Sequence, residues 1–215
     1  MFHKGIRPGL YAITDTEMMP GQRLLTEVAA ALRGGAVMVQ YRDKISTVSE
    51  RLHQAEGLQA ICQEAGVPLI INDDPKLAHQ VGAAGVHLGQ TDTSLADARA
   101  LLGDKAIIGA TCHGSLALAE KAVAASADYL AFGRFYPSGT KPGAFPADPK
   151  ILGQARRWDL PLVAIGGITA ENGGPLIEAG ADCLAVVGGL FGEGDTEKRA
   201  RQLSELIRQH HLAAD

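Results

Sequence analysis

Cysteine is scarce in this 215-residue sequence: only Cys62, Cys112 and Cys183 are present. They are odd in number, far apart and include no CxxC pair, so neither a disulfide framework nor a zinc site is suggested. No apolar run is long enough to cross a bilayer, and the opening MFHKGIRPG lacks the apolar core of a secretion signal. Charge of one sign is missing too. The formal net charge is −4, which points to neither nucleic acid nor a membrane surface as a partner. Any anionic ligand must therefore be held by a local cluster of positive groups. Together these absences predict a cytoplasmic protein with reduced thiols, and they leave a homo-oligomer open. What is present is an ordinary globular balance, 46% hydrophobic and 20% charged. No linker or charge block divides it, so one domain spanning 1–215 is expected.

Short apolar runs alternate with amphipathic stretches from end to end. LYAIT (10–14), AVMVQY (36–41), PLIIN (68–72), GVHL (85–88), AIIGA (106–110), DYLAF (128–132), PLVAIG (161–166) and CLAVV (183–187) have the composition of strands buried on both faces. Helical periodicity fills the gaps, for example at 24–33, 49–65, 95–102, 116–125 and 196–210. Eight regular units in this length favour a single (β/α)8 TIM barrel over an open doubly wound sheet. Small-residue turns lead into several strands: Arg33-Gly34-Gly35-Ala36, Glu64-Ala65-Gly66-Val67, Ala83-Ala84-Gly85-Val86 and Glu178-Ala179-Gly180-Ala181. In each, the glycine is expected to supply the left-handed residue that ends the helix.

In such a barrel, chemistry gathers just after the strands. After strand two, Gln40, Arg42 and Lys44 point to one side of an extended segment, with Tyr41 and Asp43 on the other. An amide followed by two cations suits a polar ring joined to a phosphate; the plain alternative is an exposed basic turn. Asn72-Asp73-Asp74 follows strand three and His87-Leu88-Gly89-Gln90-Thr91-Asp92 strand four. Asp73 and Asp92 from separate strand ends could hold Mg²⁺, with phosphate oxygens and water completing the shell. Alternatively both cap helices, a role that Asp74 before Pro75 fits better than Asp73 does. His87 is expected to be a core histidine. After strand five, Cys112 reads as a packed thiol, His113 as a supporting group, and Thr111 as a donor to a phosphate or leaving oxygen.

The stretch after strand six is the longest uncommitted loop, as lids and binding loops often are. Ser138, Gly139, Thr140 and Lys141 offer it hydroxyls, amides and one cation, a kit for an anion; a Schiff-base role for Lys141 is the weaker alternative. Gly166-Gly167 and Gly188-Gly189 follow strands seven and eight, where barrels of this class commonly bind phosphate through backbone amides. Two anion-binding regions, one metal-chelated, point to a transferase joining two phosphorylated pieces.

In order and spacing, LYAITD, QYRDK, INDD, GVHLGQTD, IIGATCHG, SGTK and VAIGGI make the chain resemble the thiamine-phosphate synthase (thiamine-phosphate pyrophosphorylase) family over nearly its whole length. The resemblance implies an enzyme of thiamine biosynthesis that condenses 4-amino-2-methyl-5-hydroxymethylpyrimidine diphosphate with 4-methyl-5-(2-phosphooxyethyl)thiazole, or its carboxylated form. The products would be thiamine phosphate and diphosphate, with CO2 released as well from the carboxylated form. It implies Mg²⁺ as cofactor, bound by Asp73 and Asp92. Gln40 would meet the aminopyrimidine within the QYRDK segment, Gln40 to Lys44; Arg42, Lys44, Asn72 and Lys141 would hold the diphosphate. Thr111 stands where the family commonly has Ser. Ser138 to Thr140, Gly167, Val187 and Gly188 would hold the thiazole phosphate. The implied mechanism is dissociative and needs no protein nucleophile. Ser138 replaces a frequent Thr, and Gly188 stands where many members have Ser. The rival readings are a thiazole tautomerase-like isomerase and a non-catalytic phosphate-ligand sensor.

Overall fold

A computed structural model describes residues 3–137 and 146–212. Eight strands close into a parallel barrel in sequence order: β1 (Gly9–Ile13), β2 (Ala36–Tyr41), β3 (Leu69–Asn72), β4 (Gly85–Leu88), β5 (Ile107–His113), β6 (Tyr129–Gly133), β7 (Leu162–Ile165) and β8 (Cys183–Val186). Between and after them run α1 (Arg23–Arg33), α2 (Val48–Glu64), α3 (Pro75–Val81), α4 (Leu95–Leu102), α5 (Leu116–Ala124), α6 (Lys150–Ala155), α7 (Gly174–Glu178), α8 (Gly188–Phe191) and α9 (Thr196–Leu212). The strands lack a solvated face because one set of alternate side chains fills the barrel and the other meets the helices. Tyr11, Ile13, Met38, Ile70, Ile107, Tyr129, Val163, Cys183 and Ala185 pack inside. Leu10, Ala12, Val39, Tyr41, Leu69, Ile71, Leu130 and Phe132 pack outward against helices. That is why each strand reads as a continuous apolar run.

Helix starts follow local chemistry. Thr47 and Glu50 form a reciprocal capping box on α2, Ser94 caps α4 and Ser115 caps α5. Asp74 caps α3 by accepting from the Leu77 amide at 2.9 Å, so Asp73 and Asp92 are not helix caps.

Two local expectations are corrected. Left-handed glycines do end the turns before β2, β3 and β8, at Gly35, Gly66 and Gly180. Before β4, however, that residue is Gly82, and Gly85 instead opens the strand, where a Cβ would lie 1.8 Å from the Ile107 carbonyl oxygen. Strand β5 also runs on through His113, pairing with β6 across an irregularity between Thr111 and His113. Thr111 thus belongs to the strand, and the Gly188-Gly189 pair opens a helix.

A matched device closes the N-terminal end of the barrel. Asp128, just before β6, accepts from the Ile108 amide of the neighbouring strand and from Arg99. Asp182, just before β8, accepts from the Leu162 amide and from Arg156 in the same way. This end is built for stability.

Candidate active site

The C-terminal ends of the strands gather the polar groups. Residues β1 to β2 form the first clamp. Thr14 Oγ1 accepts from the Arg42 amide at 2.8 Å, and the Arg42 guanidinium reaches Asp15, 3.8 Å away. Neither Thr14 nor Asp15 was anticipated as part of the site, although the TD after strand one occupies the same position as the polar residues after the other strands. Gln40, 2% exposed, is turned into the barrel and donates to the Tyr11 hydroxyl at 2.7 Å.

Tyr41 and Asp43 lie away from the mouth, as the alternation along the strand requires. The Tyr41 hydroxyl donates to Asp43 and bonds Gln54 of α2, while Asp43 accepts from the amides of Ile45 and Ser46 at 2.8 and 3.0 Å. Their side chains shape the turn that carries Arg42 and Lys44; they are not aimed at a ligand in the mouth. Burial alone would raise the Asp43 pKa, but hydrogen bonds from Ser46, Ile45 and Tyr41 outweigh it and hold the carboxyl at about 2, below its usual 3.8. Because the folded value is depressed, this group's stabilisation is present above pH 3.8 and fades as pH falls through about 2. Asp43→Asn should therefore flatten the dependence of Tm on pH within that window; an unchanged slope in acid titrations would remove Asp43 from the account of the turn.

Asp73 and Asp92 meet across the ends of β3 and β4, within hydrogen-bonding reach of each other. Asp73 has a left-handed φ of 63°, fixed by its amide donating to the His87 carbonyl at 2.9 Å, and its carboxylate pairs with the half-exposed Lys44 ammonium. Asp92 accepts from the Gly89 amide at 2.7 Å. Burial and then the hydrogen bond to Asp73 raise the Asp92 pKa. Burial also works to raise Asp73, but the Lys44 hydrogen bond and the link to Asp92 prevail and lower it. Two adjacent carboxylates moved apart in this way are a pair that a cation would let ionise together. Among the described residues no group of three or more His, Cys, Asp or Glu could hold a metal alone. The donor set therefore fits a hard cation that draws its remaining oxygens from substrate and water, as Mg²⁺ does.

Thr111 faces the barrel interior, and its hydroxyl lies 2.8 Å from His87 Nε2. Gln90 donates to the Thr111 carbonyl. His87 is not an inert core residue: its Nδ1 is 2.8 Å from the Tyr129 hydroxyl, and its ring stacks on the tyrosine with centroids 5.5 Å apart. Burial raises the pKa of Tyr11 and Tyr129, so both remain neutral phenols. Cys112 is fully buried on the helix side, and burial pushes its thiol up to about 12, which suits packing and not nucleophilic attack. His113 is exposed.

A glycine turn follows β7, and a helix opened by Gly188 follows β8, the neighbouring strand of the sheet. Gly166 and Gly167 both have left-handed φ, and a Cβ on Gly167 would stand 2.3 Å from the Pro137 carbonyl oxygen. The start of the loop after β6 thus lies on this turn. Asn172, another residue not anticipated, ties the turn together by donating to the Gly167 carbonyl and accepting from the Thr169 amide. Tyr136 donates to the Asn172 carbonyl at 2.8 Å. Val187 packs against the barrel interior beside Gly188, where a Cβ would meet nothing within 4 Å. Ser138, Gly139, Thr140 and Lys141 lie outside the described residues.

A closed barrel whose C-terminal mouth combines two cations, a carboxylate pair, a glycine turn and a glycine-opened helix belongs to the class of phosphate-handling (β/α)8 enzymes. Residues 10–190 match the family model described as thiamine monophosphate synthase, and the chain belongs to that family. It is similar to the thiamine-phosphate synthase of Marinobacter nauticus, with 62% identity covering 96% of this chain and 94% of that protein. The thiamine-phosphate synthase of Nitrosococcus oceani is 52% identical over 94% of this chain and 92% of its own length. Among solved structures, a thiamine phosphate pyrophosphorylase from Pyrococcus furiosus superimposes with a TM-score of 0.85 at 29% identity, covering 97% and 98% of the two chains.

Proposed function

We propose that the chain is one catalytic domain, acting in the cytoplasm, that joins the pyrimidine diphosphate to the thiazole phosphate to give thiamine phosphate and diphosphate. The observation that carries this reading is the combination at one mouth of the Asp73–Asp92 pair with Arg42 and Lys44, in a chain 62% identical to a thiamine-phosphate synthase. The family membership supports the reaction; the geometry supports the division of labour.

Arg42, Lys44, Asn72 and Lys141 would grip the diphosphate, and Gln40 would accept a hydrogen bond from the pyrimidine amino group. The methylene carbon–oxygen bond breaks with its electron pair leaving on the diphosphate, and the ring's amino group stabilises the resulting methylene cation. The thiazole nitrogen then donates its lone pair to that carbon. When bound by Asp73 and Asp92, Mg²⁺ would supply positive charge to the leaving group. Thr111 would donate to a departing oxygen, while Arg42 and Lys44 neutralise charge in a partly dry mouth, where such stabilisation is most effective. Ser138 to Thr140, Gly167, Val187 and Gly188 would hold the thiazole phosphate against the methylene carbon.

The test is direct assay of the purified protein with both phosphorylated substrates and Mg²⁺. Thiamine phosphate and diphosphate should form in equal amounts, and only when all components are present. Binding of both substrates without product would overturn the reading in favour of a sensor; isomerisation of a thiazole without condensation would overturn it in favour of a tautomerase.

Gly188 offers a finer test. Open space around its Cβ position means that Gly188→Ser adds a hydroxyl without a clash. The KM for the thiazole phosphate should fall about threefold to tenfold, the effect of one added hydrogen bond, with kcat little changed. Steady-state kinetics showing an unchanged or raised KM would take the thiazole phosphate away from this turn.

A further inference from the structure

Five side chains from five strands form an unbroken hydrogen-bonded line across the barrel interior. Gln40 Nε2 of β2 lies 2.7 Å from the Tyr11 hydroxyl of β1, which lies 2.9 Å from the Tyr129 hydroxyl of β6. The Tyr129 hydroxyl is 2.8 Å from His87 Nδ1 of β4, and His87 Nε2 is 2.8 Å from Thr111 Oγ1 of β5. The ends of the line are two residues assigned above to substrate. Its three central members have no part in the reaction as described so far.

The protons in such a line are not independent. A phenol has one proton to give, and a neutral imidazole donates from one nitrogen and accepts at the other. With the Gln40 amide nitrogen donating to Tyr11, Tyr11 donates to Tyr129 and Tyr129 donates to His87 Nδ1. His87 must then carry its proton on Nε2 and donate to Thr111, which keeps its own proton for something else. In this polarity Gln40 turns its carbonyl oxygen away from Tyr11 and offers an acceptor. Turning the amide over reverses every bond: Gln40 then offers a donor, and the Thr111 proton is spent on His87. The line has two self-consistent settings, and the same setting governs both ends.

The barrel is built to hold this line. A Cβ on Gly109 would fall 1.9 Å from the Tyr129 ring, so glycine there is what admits the ring across the interior. The ring is fully buried and makes an edge-on contact with Tyr11, with centroids 6.0 Å apart, as well as the stack on His87. Ring packing leaves the hydroxyls little freedom except the direction of their protons.

We propose that Tyr11, Tyr129 and His87 are positioning residues that couple recognition of the pyrimidine amino group at Gln40 to the readiness of the Thr111 hydroxyl to donate to the departing diphosphate. The inference rests on the synthase reading. An amino group on the ring needs an acceptor at Gln40 and so selects the setting in which the Thr111 proton is available. A ring bearing an oxo group at that carbon needs a donor, selects the reverse setting and leaves Thr111 occupied. Substrate choice is thereby expressed in turnover as well as in binding.

Tyr129→Phe removes the middle hydroxyl and keeps the ring. Kinetics would be measured on the amino pyrimidine diphosphate and on its oxo analogue, each with the thiazole phosphate and Mg²⁺. For the amino substrate, kcat should fall about tenfold with little change in KM, and the amino-over-oxo preference in kcat/KM should shrink by about tenfold, each being the loss of one oriented hydrogen bond. The intrinsic difference between the two rings in stabilising the methylene cation is the same for both proteins and cancels in that comparison. Nitrogen-15 NMR of wild type saturated with the amino pyrimidine diphosphate, with no thiazole partner present and the His87 signals assigned through His87→Gln, should find the neutral Nε2–H tautomer. An undiminished preference in Tyr129→Phe, or an Nδ1–H tautomer in that complex, would overturn the proposal. Tyr11→Phe repeats the kinetic test if Tyr129→Phe does not fold. If wild type makes no thiamine phosphate, the synthase reading itself fails, while the tautomer still reports on the line.

Discussion

Asp92→Ala is expected to lower kcat by at least about a hundredfold while leaving the fold nearly as stable as wild type. The asymmetry follows from where Asp92 sits. In the resting protein its carboxylate accepts one backbone hydrogen bond, from the Gly89 amide, and lies within hydrogen-bonding reach of Asp73 in a partly exposed mouth. Removing it costs that bond, worth about 1 kcal/mol, and relieves a like-charge contact. What it removes from the reaction is half of the carboxylate pair available to Mg²⁺. Activity measured against Mg²⁺ concentration, beside a thermal melt, separates the two effects. A variant with full activity at limiting Mg²⁺ would show that the metal is held elsewhere.

The opposite asymmetry is expected at the other end of the barrel. Asp128 is 3% exposed and accepts from Arg99 at 2.6 Å, from Lys4 and from the Ile108 amide at 2.8 Å. Asp128→Ala would leave the Arg99 guanidinium, only 17% exposed, and a strand amide without the carboxylate that answers them. Breaking a buried pair from one side costs about 3–5 kcal/mol, which for a chain of this size lowers Tm by about 10 °C. Below the melting transition kcat should stay within about twofold of wild type, since nothing in the mouth depends on Asp128. A large loss of kcat with an unchanged Tm would contradict the division between a stability face and a reactive face.

Much of this division is legible in the residues alone. Eight short Val-, Ile- and Leu-rich runs separated by helical periodicity specify a barrel because strands covered on both faces cannot alternate with polar residues. The mouth is legible for the same reason: where a strand leaves the core polar side chains appear at once, Arg42 and Asn72 directly and Lys44 and Asp92 within a few residues. What happens inside the closed barrel is harder to read. His87 was expected to be core, and nothing local says otherwise; its partners are Tyr129 and Thr111, brought to it only by closure of the sheet. Tyr11 and Tyr129 stand 118 residues apart and look like ordinary apolar strand positions. The Asp128 and Asp182 pairs were missed although ADYLAF and ADCLAV repeat one pattern before β6 and β8, a signal available from the start. Gly85 was given a turn role because glycine before a strand usually ends a helix, whereas here the close approach of the Ile107 backbone is what requires it.

The central claim is that one mouth holds a metal-bound diphosphate and a thiazole phosphate side by side. A crystal structure of the protein with Mg²⁺, diphosphate and thiamine phosphate tests it most directly. The account predicts Mg²⁺ between Asp73 and Asp92, diphosphate against Arg42 and Lys44, the pyrimidine amino group on Gln40 Oε1, and the product's phosphate at the turns of Gly167 and Gly188. Diphosphate bound away from Arg42 and Lys44, or Mg²⁺ touching neither aspartate, would contradict it.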